Sequence, residues 1–139
     1  MSLTDPLKTL ERLRRQQLQQ CQQRVNEQQA MLRGMQSKIH TLQSFLQSPM
    51  TPVTQGLALR NQDNYARELR HLLRWQQQQH LAAEQELARR QTALLESHLQ
   101  YKRLESYGHE LARSELQQQR RQEQKSTNAL AALRFARKS

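Results

Sequence analysis

At 139 residues the chain has one domain's worth of length, yet only 35% of it is hydrophobic and 4% aromatic, while charged residues make up 24%. So polar a composition excludes a thick buried core: the chain folds along a narrow seam or does not fold. The formal charge of +10, spread along the chain, suits an acidic protein partner, a nucleic acid or an anionic membrane surface, without choosing among them.

Glycine and proline decide between seam and disorder. There are three of each, and Pro49, Pro52 and Gly56 crowd into one window. Elsewhere Leu, Ala, Gln, Glu and Arg, all good helix formers, dominate. Cys21 is the single cysteine, which excludes an internal disulfide and agrees with a reducing compartment. The opening MSLTDPLKTLERLRR lacks the apolar stretch of a secretory signal, and no apolar run approaches the roughly 18 residues needed to cross a bilayer. A cytoplasmic protein is expected.

The expected fold is all-α, a long antiparallel two-helix coiled coil forming one domain over 1–139, with helices over about 5–48 and 58–137 and a loop over about 49–57. In the first helix Asp5 is placed as the N-cap and Pro6 at the first helical position. Leu3, Leu7, Leu10 and Leu13 have helical spacing. From Leu18 the spacing alternates between three and four through Cys21, Val25, Gln28, Leu32, Met35, Ile39, Leu42 and Leu46, the two-in-seven seam of a coiled coil. The eleven residues from Leu7 to Leu18 are read as a local phase shift. Gly34 falls outside the seam, at a cost of about 1 kcal/mol to the helix. The glutamine-rich tract RRQQLQQCQQRVNEQQ, Arg14 to Gln29, is then the wetted flank of a helix, facing residues near 81–88 of the returning one.

The helix should stop near Ser48, because Pro49 and Pro52 lack N–H groups and bias their predecessors away from helix. The returning helix has a leakier seam: Ala66, Leu69, Leu73, Gln76, His80, Ala83, Leu87, Arg90, Leu94, Ser97, Tyr101, Leu104, Gly108, Leu111. Leu72 and Leu95 are read as widening its stripe. At 1.5 Å per residue the helices are about 65 Å and 120 Å long. With the loop ends level, the first helix is used up against residues 58–101. Everything after Tyr101 then overhangs, leaving Leu104, Leu111, Leu130, Leu133 and Phe135 uncovered on a basic helix, which reads as a binding element.

No catalytic, cofactor-binding or metal-ligating constellation emerges. His40, His71, His80, His98 and His109 never pair at i, i+4, and His80 with Glu84 supplies two ligands only. There is no phosphate-cradling loop, no nucleophile elbow, and no pocket that two helices could enclose; no enzyme, small-molecule substrate or cofactor is expected. Cys21 reads as a small seam hydrophobe, although a parallel homodimer would bring two copies of it together. A basic-region DNA reader needs a dense arginine block, whereas Arg113, Arg120, Arg121 and Lys125 are interleaved with Glu110, Glu115 and Glu123. Nucleic-acid binding and a generic scaffold dimerising through Leu18–Leu46 stay as the alternative readings.

An opening LxxLxxL helix, a break near residue 50 and a longer second helix are combined here with RRQEQKSTNALAALRFAR near the end. In this plan the chain resembles the flagellar export protein family FliJ, which is related to the YscO-like stalk proteins of virulence type III secretion. Arg121, Glu123, Gln124, Lys125, Leu130 and Ala131 match the family's terminal pattern. Its usual acidic pair falls on Asn128 and Ala129, a departure. The resemblance implies an antiparallel two-helix coiled coil similar to the central stalk of rotary ATPases. The end bearing both termini would enter a hexameric export ATPase, through Arg113, Arg120, Arg121, Lys125 and Arg134. The loop-proximal part would touch the cytoplasmic domain of the membrane export gate, through Leu42, Phe45, Leu69, Leu73 and His80. It further implies binding and recycling of export chaperones, a monomer when free, and a place at the cytoplasmic face of the inner membrane.

Overall fold

The structure, a computed structural model, describes residues 4–48 and 56–138. Two helices make it up: α1, Thr4–Gln47, and α2, Gly56–Lys138. They pack antiparallel as a helical hairpin, as the two seams predict. Leu3, the two prolines at 49 and 52 and most of the expected loop lie outside the described residues. Gly56 and Leu57, expected in that loop, already belong to α2. Asp5 is not the cap either: α1 starts by Thr4, so Asp5 sits inside the first turn, where its carboxylate suits the helix dipole. Its carbonyl accepts a hydrogen bond from Thr9 Oγ1 at 3.1 Å.

Along α1 one residue in every three or four is sheltered without interruption: Leu7, Glu11, Arg14, Leu18, Cys21, Val25, Gln28, Leu32, Met35, Ile39, Leu42, Leu46. The expected phase shift is therefore absent. Eleven residues are one heptad plus four, so Leu7 and Leu18 already share the seam, with Glu11 and Arg14 between them. Leu10 and Leu13, 41% and 51% exposed, stand outside it. In α2 the same alternation shelters every expected seam residue from Ala66 to Leu111, and extends to Gln62 and Glu115. Leu72 and Leu95 do not widen this stripe, since both are exposed.

The contacts between the helices fall into two compact units. One holds Gln17–Ser97. Its most buried side chains are Val25, Gln28, Leu32, Ala83 and Ser97. Gln28 Nε2 donates to the carbonyl of Ala83 at 2.9 Å, and Arg90 donates to the carbonyl of Arg24 at 2.9 Å. The other unit joins the chain up to Gln16 with the chain from His98 onward. Here Arg14 donates to Gln100 Oε1 at 2.8 Å, and Arg15 donates to the Tyr101 hydroxyl at 3.1 Å. A Cβ on Gly108 would stand 3.0 Å from Glu11 Oε1 and 3.3 Å from Leu7 Cδ2, so these two α1 side chains lie over the glycine.

These bonds correct the register. Arg14, Arg24 and Gln28 are bonded to Gln100, Arg90 and Ala83, so the glutamine-rich tract faces about 83–100 and not 81–88. The helices are aligned by their seams and not by level loop ends. In consequence, α1 shelters α2 well past Tyr101: Tyr101, Leu104, Gly108, Leu111 and Glu115 are all half-buried. Uninterrupted exposure starts only at Leu116, and Leu104 and Leu111 are not uncovered.

Candidate interaction surfaces

Of the polar residues that interrupt the α2 seam, His80 and Arg90 each meet a glutamate on their own helix. His80 Nδ1 lies 3.3 Å from Glu84 Oε1, one turn on, while its Nε2 is buried without a partner. Arg90 reaches Glu86 through Nε at 3.1 Å while its terminal nitrogen bonds the opposite backbone. The Glu86 carboxylate also accepts from Arg89 at 2.9 Å. The hydrogen bonds from Arg89 and Arg90 hold the Glu86 carboxyl below the usual carboxylate range. Ser97 is buried with its hydroxyl unpaired. In the other unit the Arg15 guanidinium lies 5.8 Å from the centroid of the Tyr101 ring. The hydrogen bond to that phenol raises the Arg15 pKa further above its ordinary value. None of these groups encloses a reaction site, and no cluster of three potential metal ligands occurs among the described residues.

Two exposed surfaces remain. The first is the last part of α2. After Gly108 the sequence has neither glycine nor proline, and Ala, Leu, Gln and Arg keep the helix going to Lys138. Arg137 and Lys138 in its last turn complement the helix dipole. Every residue from Leu116 to Lys138 is exposed. Arg120, Arg121, Lys125 and Arg134 lie in this stretch, and Arg113 is exposed just before it. None of the five forms an ion pair among the described residues. The large apolar side chains Leu130, Leu133 and Phe135 stand out beside them at 60%, 61% and 79% exposure.

The second surface is near the start of α2. Of the five residues assigned there from the resemblance, Leu42, Leu69, Leu73 and His80 are half-buried seam residues, whereas Phe45 is 53% exposed. Phe45 precedes a seam residue by one position, as do Tyr65 and Leu72. In an antiparallel pair such positions line the same flank, and Trp75 adjoins Leu72 at i+3. Tyr65, Leu72 and Trp75 are likewise about half exposed, and sequence reasoning missed them as a group. The signal was their common offset from the seam, legible once Ala66 and Leu73 are placed in it.

No helix of the described residues is long and apolar enough to cross a membrane. Comparison with curated proteins and with solved structures returns no match. The family model described as flagellar FliJ protein matches residues 3–139, nearly the whole chain. With a matching helical hairpin beneath it, this shows that the chain belongs to the FliJ family, a non-catalytic component of flagellar type III protein export.

Proposed function

We propose that the chain is the non-enzymatic stalk of its export apparatus: the exposed end of α2 enters the ring of the hexameric export ATPase, and the flank around Phe45 meets the cytoplasmic domain of the export gate. The observation that carries this reading is the exposed basic stretch Leu116–Lys138, with Arg120, Arg121, Lys125 and Arg134 unpaired by any acidic side chain among the described residues. Charges so presented steer and orient docking against acidic ring-lining loops. Arg113, at the edge of the sheltered stretch, joins them as the helix enters. The whole chain then acts as one domain, a monomer until it docks, in the cytoplasm at the inner face of the membrane.

At the other end Phe45 is the anchor, and Leu42, Leu69, Leu73 and His80 support its flank from the seam. Export chaperones are further partners, delivered and recycled at the apparatus. Interleaved Glu110, Glu115 and Glu123 weigh against nucleic acid as the partner of the basic helix.

The test is ATP hydrolysis by the cognate export ATPase, titrated with the full chain. Stimulation is expected, and the variant Arg120→Glu/Arg121→Glu/Lys125→Glu should lose at least about tenfold in apparent affinity, since each docked charge contributes roughly 1 kcal/mol or more. An ATPase indifferent to the wild-type chain would refute the proposal.

A further inference from the structure

The last turns of α2 carry a second pattern. Arg134, Arg137 and Lys138 stand three and four residues apart and so share one helical face. Phe135, Ala132, Ala136, Ala129 and Leu133, with Asn128 among them, make the opposite arc, while Leu130, one turn before Arg134, lies on the basic face. No acidic residue follows Glu123. Phe135 is the most exposed of the large hydrophobic side chains described, at 79%. It borders a shallow groove of about 420 Å³ with Leu130, Ala131, Arg134 and Lys138.

From this arrangement we infer that the terminal face of α2, residues 128–138, docks on an anionic phospholipid surface. The arc opposite the cations is made of alanines and one asparagine, Asn128, flanked by one leucine and one phenylalanine. It is flat enough to lie on a plane, and offers no row of large knobs for a protein groove. A basic amphipathic helix of this kind lies in the interface, its apolar side in the acyl boundary and its cations among the headgroups. Phe135 and Leu133 enter the boundary. Arg134, Arg137 and Lys138 meet the anionic headgroups, unopposed by any acid on the same turns. The helix does not cross, in keeping with the absence of an apolar span among the described residues. Arg134 serves both this surface and the proposed ATPase contact, so the two bindings exclude one another, and lipid binding itself needs no ATPase.

The experiment sediments the full chain with vesicles of phosphatidylcholine and with vesicles of an equal mixture of phosphatidylcholine and phosphatidylglycerol. Binding is expected only to the mixed vesicles. Arg134→Glu/Arg137→Glu should weaken it at least about tenfold, and the control Arg60→Glu/Arg67→Glu, with the same change in charge, should stay within about twofold. Phe135→Ser, which leaves the charge alone, should also weaken binding. All the substituted residues are exposed, and each variant is required to stay helical by circular dichroism before its binding is compared. Three outcomes overturn the inference. One is no binding to the mixed vesicles, which leaves this face to an acidic protein groove. Another is an equal loss in both charge variants, which reduces the effect to bulk attraction. The last is full binding by Phe135→Ser.

Discussion

Phe45 owes its exposure to one step in register. Its neighbour Leu46 turns into the seam while the ring stays 53% exposed. A side chain so placed contributes little to the hairpin, because surface substitutions away from special features usually fall within about 0.5 kcal/mol. It is instead suited to anchor a partner, as aromatic residues commonly do at interfaces. Phe45→Ala should therefore leave the melting temperature nearly unchanged and weaken binding to the gate's cytoplasmic domain by about tenfold or more, as measured by calorimetry. Undiminished binding would move the gate contact elsewhere. The leucines assigned with it were legible as apolar and near the loop, but seam packing claims Leu42, Leu69 and Leu73 first, as their half-buried state shows. Nor could composition reveal that Arg90 spans the interface to bond a carbonyl of α1, because that depends on which residue stands opposite.

At the scale of the helices, periodicity was informative and alignment was not. The alternation of three and four placed the α2 seam from Ala66 to Leu111, its polar members included, because any residue at those positions is carried against α1. The same rule, applied at Leu7, reaches Leu18 through Glu11 and Arg14; the apolarity of Leu10 and Leu13 suggested a different stripe. Sliding the helices by a heptad preserves the apolar pattern, so register rests on specific polar bonds. Gln28 is the chief of these, 5% exposed and bonded across to Ala83. Buried polar seam residues fix register at a cost in stability. Gln28→Leu should accordingly raise the melting temperature, and the carbonyl of Ala83 keeps its helical partner. Paired cysteines introduced at Arg24 and Arg90 in the Cys21→Ser background should then crosslink less selectively than in the chain that keeps Gln28. A lower melting temperature would show that the amide stabilises the pair outright.

For the molecule as a whole, family and hairpin agree, and composition explains why. A chain this polar can bury only a strip, and two helices share that strip between them. Because α2, at 83 residues, is much longer than α1, at 44, part of α2 has no seam partner. The length of that part depended on register, which is why the overhang expected from Tyr101 starts at Leu116. The exposed stretch is the segment that the proposed stalk function uses. Its docking into the ATPase ring is tested most directly by a photoreactive residue at position 121, introduced into the full chain and irradiated with the assembled export ATPase. The proposal requires a crosslink from position 121 to the ring-lining loops, and none from the same probe at position 45. A crosslink from position 45 alone would contradict it.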